Sequence, residues 1–137
     1  MKDAAFPSRH ISIAINCNAD DVYAFASNPA NLPQWAAGVS GSVRKSGDNW
    51  ISDSPMGEVQ IRFADANSLG VLDHDVTLPS GETVYNPMRV FPNNQGSEVV
   101  FTLYRQPKMS DDDFEKDAQM IERDLQKLRS ILEEKQK

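Results

Sequence analysis

Two histidines, one cysteine and a scatter of carboxylates are the side chains of this 137-residue chain best suited to chemistry. His74 stands between Asp73 and Asp75, a trio that on paper could hold a metal ion. Strand alternation argues against it, because it sends His74 to one face and both aspartates to the other. The second histidine, His10, lies far away in sequence, and no Cys or His spacing resembles a zinc site, so no metal and no cofactor are expected. Cys17 has no histidine spaced to act as its base and reads as a small buried residue. Ser54 lies in Ser54-Pro55-Met56-Gly57, which is not the Gly-x-Ser-x-Gly elbow of a hydrolase, and no glycine-rich loop could cradle a phosphate.

The face occupied by His74 follows from the turn after it. If Pro79-Ser80-Gly81 is a three-residue hairpin loop, Leu78 faces Glu82, Val76 faces Val84, His74 faces Asn86 and Leu72 faces Met88. These residues share one largely apolar face, and Asp73, Asp75, Thr77, Thr83, Tyr85 and Arg89 share the polar one. A loop over Asp65 to Ser68 would set Ile61 opposite Leu72 and Val59 opposite His74 on the same inner face. His74 and Asn86 then form a polar pair on an apolar wall. They could bond each other or a buried water, meet the polar group of a ligand, or let His74 act as a general acid or base. Burial would keep the imidazole neutral. Arg62 and Arg89 fall on the outer face, solvated or paired with Asp73 and Asp75.

The elements that carry these residues are legible in the pattern. Ile11, Ile13 and Ile15 alternate with Ser12 and Ala14 in a first strand. Asn18, with Asp21 three residues on, caps a short helix. Asn28-Pro29 starts another that ends at Trp35. Six strands follow: Val39 to Lys45, Asn49 to Ser52, a third containing Val59 to Phe63, Leu69 to Leu78, Glu82 to Val90, and Ser97 to Arg105, with Phe91 to Gly96 as a loop. Ser110 caps a final helix from Asp111 to about Lys135, roughly 37 Å long. Its residues Phe114, Ala118, Ile121, Leu125, Leu128 and Leu132 share one face. The pattern predicts a single α+β domain over residues 1–137: a curved antiparallel sheet of about seven strands wrapped around the long helix, with two short helices after the first strand.

This element order resembles the helix-grip fold of the START-like (SRPBCC) superfamily, and more narrowly its polyketide cyclase/dehydrase-type members. The resemblance rests on Ile11-Ser12-Ile13, Ala19 to Phe25, Asn28 to Trp35, Ser54 to Gly57 and the final helix, and spans nearly the whole chain. It implies an apolar cavity between sheet and helix. The expected wall comprises Trp35, Met56, Val59, Ile61, Phe63, Leu72, His74, Val84, Asn86, Met88, Phe101, Ile121 and Leu125, with Trp35 and Met56 at the mouth and Met109 and Met120 as adaptable lining. Fold alone leaves function open.

Composition narrows the partners. Twenty acidic against 14 basic residues, net charge -6, disfavour nucleic acid and anionic membrane surfaces. No apolar run could span a membrane and no signal peptide is visible, so a cytoplasmic protein is expected, monomeric or homodimeric. The leading expectation is a module that binds a small hydrophobic molecule, lipid, polyketide-like or aromatic. The alternative is a cyclase or dehydratase using His74 as acid or base. A protein-interaction module would want an exposed apolar patch, which the sequence does not display.

Overall fold

The computed structural model describes residues 4–39, 43–54 and 57–135. Met56, expected at the mouth of the cavity, lies outside them. The described residues form strands β1 (Ser8–Ile15), β2 (Val43–Ser46), β3 (Asn49–Ser54), β4 (Gly57–Phe63), β5 (His74–Thr77), β6 (Thr83–Asn86), β7 (Met88–Asn93) and β8 (Gly96–Tyr104). Helices α1 (Ala19–Ala26) and α2 (Leu32–Trp35) follow β1, and α3 (Asp111–Lys135) closes the order. All pairings are antiparallel: β1-β8-β7 in one sheet and β2-β3-β4-β5-β6 in the other. The architecture is α+β, with one long helix against antiparallel sheets as in a helix grip.

The helix starts obey the expected capping chemistry. The Asn18 side chain accepts from the Asp21 N–H at 2.9 Å, and the Ser110 hydroxyl accepts from the Asp113 N–H at 3.1 Å. Asn28 accepts from the Ala30 N–H at 3.1 Å, opening a 3-10 turn, Pro29–Asn31, that runs into α2. Along α3, Ala118, Leu125, Leu128 and Leu132 are buried and Phe114 and Ile121 half-buried, so one face meets the sheets.

The strand plan differs from expectation in three places. Where one strand was expected over Glu82 to Val90, the chain breaks at Pro87, whose nitrogen cannot donate to a ladder. Its expected partner, Leu69 to Leu78, breaks beside it at Asp73. Past the break the two segments still run together: Val71 bridges Arg89, and the Leu72 N–H donates to the Met88 carbonyl at 2.8 Å. The pair is therefore one ribbon with a corner, which divides the expected single sheet into two and raises the strand number to eight among the described residues. β2 begins at Val43, later than the expected Val39, because Ala37–Val39 forms a 3-10 turn. The expected loop over Phe91 to Gly96 is mostly strand, since β7 continues to Asn93 and turns tightly through Asn94 and Gln95 into β8.

The register around His74 is as expected on one side and corrected on the other. His74 pairs with Asn86 and Val76 with Val84, and Gly81 takes the positive φ (91°) that closes the three-residue loop. Toward β4, however, Ile61 pairs with Val76 and Phe63 with His74, four residues from the expected alignment. The connection is longer than Asp65 to Ser68 because Asn67 organises it. Its side chain accepts from the N–H groups of Leu69 and Val71 and donates to the carbonyls of Asp65 and Val71, all at 3.0 Å. Gly70 closes this connection at φ 73°, where a Cβ would lie 1.9 Å from the Val90 carbonyl oxygen, so only glycine fits. A shift of four preserves side-chain parity, and the inner face stays the inner face.

Candidate functional site

A cavity of about 620 Å³ opens between the inner face of β4-β5-β6, the end of β8, α2 and the first half of α3. Its walls are largely apolar: Leu32, Trp35 and Val39 from the α2 region, Ile61, Val76, Leu78 and Val84 from the second sheet, Phe101 and Leu103 from β8, Met120 and Ile121 from α3.

Of the residues expected to form the wall, the structure brings together Trp35, Ile61, His74, Val84, Asn86, Phe101 and Ile121. The others lie elsewhere. Leu72 and Met88 sit past the corner at Asp73 and Pro87, and their fully buried side chains fill the packed core. Leu125 lies on the half of α3 that packs tightly and is likewise core. Val59 is buried beyond the segment of β4 paired with β5. Phe63 is separated from the hollow by His74, whose ring stacks on it at 4.9 Å between centroids. Met109 and Met120 do line the cavity, as does Tyr104.

His74 is held by three neighbours. Phe63 lies parallel to its ring and Phe101 stands edge-on at 5.9 Å. Nδ1 lies 3.0 Å from the Leu72 carbonyl, which can only accept, so Nδ1 carries a proton. Burial lowers the imidazole pKa, outweighing the Leu72 carbonyl and the charges of Asp73 and Asp75. The ring is thus neutral near pH 7 and presents Nε2 as an acceptor. Asn86 donates to the Val84 carbonyl at 3.3 Å. The two polar residues of the wall are therefore each tied to a backbone carbonyl two residues back on their own segment, instead of to each other.

Behind them, on the outer face, Asp73 is the fastening of the corner. Its carboxylate accepts from the Met88 N–H at 2.8 Å, from Arg89 at 2.8 and 3.0 Å, and from the Tyr85 hydroxyl at 2.9 Å. Burial works against its charge, yet the bonds from Arg89, Met88 and Tyr85 prevail and its pKa falls below the ordinary value. Of the alternatives expected for Arg89, solvated or paired, the structure shows the pairing with Asp73, and it gives that acidic neighbour of His74 a structural role.

Two carboxylates of the cavity escaped sequence reasoning. Asp117 and Asp124 project from α3 into the lining. Asp124 accepts from the Ala37 N–H at 3.1 Å, joining α3 to the chain just after α2. Burial pushes its pKa up to about 6, against the opposing pull of that N–H and of Arg123. Asp117 is also raised, by burial and then by Asp113. The available signal was their spacing: seven residues is close to two helical turns, so both border the apolar stripe through Ile121. Glu82 and Lys108 add charge at the exposed rim. Trp35 is buried, and its indole N–H has no partner among the described residues. Cys17 is buried too, and burial, with Asp21 and Glu133, raises its thiol pKa, the opposite of an activated nucleophile. His10 lies on the exposed side of β1 with Nδ1 2.9 Å from the Thr102 hydroxyl, far from this cavity.

No helix among the described residues is long and apolar enough to cross a membrane. No family model matches the chain, and no curated protein does. Solved structures do resemble it. XoxI from Bacillus cereus superposes with a TM-score of 0.74 at 13% identity, covering 95% of this chain and 98% of that one. The Aha1 dimer from Colwellia psychrerythraea gives 0.71 at 12% identity, over 92% and 96%. DynU16, from the dynemicin biosynthetic locus, gives 0.70 at 12% identity; 92% of this chain matches 47% of that longer one. At these identities the likeness is one of fold, and the α+β architecture with its long final helix is what this chain is similar to.

Proposed function

We propose that this chain is a START-like binding module that takes a small hydrophobic molecule into the cavity between its second sheet and α3. The observation that carries this reading is the cavity itself: about 620 Å³ of space bordered mostly by aliphatic and aromatic side chains. A close-packed interior avoids such voids, since unfilled apolar space forfeits dispersion contacts. A site of this size, apolar with a few convergent polar groups, suits a small-molecule ligand. A cytoplasmic location and a monomer or homodimer complete the reading, the latter in keeping with the dimer described for Aha1.

The test is a thermal-shift screen against fatty acids, sterols and aromatic polyketides. Binding should raise the melting temperature in a concentration-dependent way. A flat response to every class would overturn the proposal.

A second reading, a cyclase or dehydratase, draws support from two titratable groups in one cavity whose pKa values burial displaces, His74 downward and Asp124 upward. DynU16, to which this chain is similar in fold, comes from a biosynthetic locus, which is in keeping with an enzyme of this kind. Turnover lost in His74→Ala with affinity retained would favour this enzyme over the binding module.

A further inference from the structure

The cavity carries its charge unevenly. The sheet wall offers His74 and Asn86, both neutral and both already bonded to backbone carbonyls, and Tyr104 at the end of β8; none of the three is a cation. The helix wall offers Asp117 and Asp124, two turns apart on α3. At the rim, Glu82 and Lys108 offset each other, and among the described lining residues Lys108 is the single cation. The interior is therefore an apolar chamber with acid on one side.

Asp124 is only half engaged. Its Oδ1 takes the Ala37 N–H, while Oδ2 has no hydrogen-bond partner among the described residues. The residue lies in the cavity lining beside Ile121 and across from the sheet wall. A carboxylate at the edge of an apolar space recovers its lost hydration best from a cationic donor, through a charge-assisted hydrogen bond. A ligand carboxylate would face two like charges instead, with no cation inside the chamber to meet it.

Resting on the binding module proposed above, we infer that its ligand class is the hydrophobic amine: an apolar body seated against Ile61, Val84 and Phe101, with a protonated nitrogen directed to Asp124. Neutral His74 fits this assignment, because its Nε2 can accept a second N–H and adds no positive charge. Asp117 strengthens the field without needing contact.

The test uses three probes with one aromatic body: naphthylethylamine, naphthylethanol and naphthylacetic acid, titrated calorimetrically into the full chain near neutral pH. The amine should bind about tenfold more tightly than the alcohol, as expected of one charge-assisted bond, and the acid most weakly. Asp124→Asn keeps an acceptor for the Ala37 N–H, so the fold is retained; it should remove the amine's advantage over the alcohol. Equal binding of all three would overturn the amine assignment, and an undiminished amine preference in Asp124→Asn would overturn the role given to Asp124, each leaving the binding module standing. No binding of any probe, together with a flat thermal-shift screen, would overturn both.

Discussion

The two halves of α3 meet different neighbours. From Leu125 onward the helix lies on solid core: Leu125, Leu128 and Leu132 are buried against residues such as Ile11, Ile15 and Val99. Before Leu125 the stripe borders a hollow at Ile121, which with its neighbour Met120 keeps accessible surface, while the small Ala118 is buried. One amphipathic pattern thus serves two ends, adhesion in the second half and lining in the first. The difference shows that an apolar residue at core spacing stabilises the fold only where something opposes it.

The comparison can be broken most sharply by truncation. Leu128→Ala should cost about 3 kcal/mol, a fall in melting temperature of roughly 10 °C, because the surrounding core cannot collapse into the space. Ile121→Ala, at the hollow, should cost only about 1 kcal/mol, since fewer contacts are lost. Equal losses in chemical denaturation would refute the division of the helix.

Asp73→Ala tests the corner that separates the packed core from the cavity. It strands the Met88 N–H and releases Arg89 and Tyr85, for an expected loss of about 2 kcal/mol. The wild-type contribution is present above the unfolded carboxyl pKa and is lost as pH falls through the lower folded value, so the two proteins should converge in strong acid.

Asp124→Asn should act the other way. A carboxyl with a folded pKa of about 6 weakens the fold when both states are ionised. Near neutral pH the substitution should stabilise by about 1 kcal/mol after allowance for solvent screening; the gain should shrink as pH falls below about 6 and vanish only below about pH 3, where wild-type Asp124 is protonated in both states. An unchanged pH profile by thermal melting would contradict the burial assigned to this group.

The smallest effect concerns His74. Its lowered pKa means the unfolded chain binds a proton first, so stability contributed by the neutral ring declines as pH drops below about 6.5. His74→Gln should flatten this decline, measurable once Asp124→Asn has removed the opposing trend.

Much of this was legible in the sequence, and the failures are instructive. The caps at Asn18, Asn28 and Ser110 and the hairpin through Gly81 depend on local chemistry, so residue types alone specify them. The pairing of Ile61 with Val76 depends on how far Asn67 extends a loop, which hydrophobic alternation cannot measure. Pro87 marked a break in plain view, but its consequence, moving Leu72 and Met88 from wall to core, required the corner in three dimensions. Asp117 and Asp124 were hidden by the ordinary expectation that helix carboxylates face water. In three dimensions both are half-buried at the border of the hollow.

The pairing of β1 with β8 has a consequence in time. Ser8 lies against Tyr104 and Ile15 against Ser97, so the first strand waits for nearly a hundred residues before its partner exists. Contacts so remote in sequence slow folding, because loop closure comes before the contacts that reward it. A ribosome would have to deliver β8 before β1 could join a sheet, and α3 before Ile15 could be covered. The chamber thus cannot close until α3, which follows every strand of its walls along the chain, has been made.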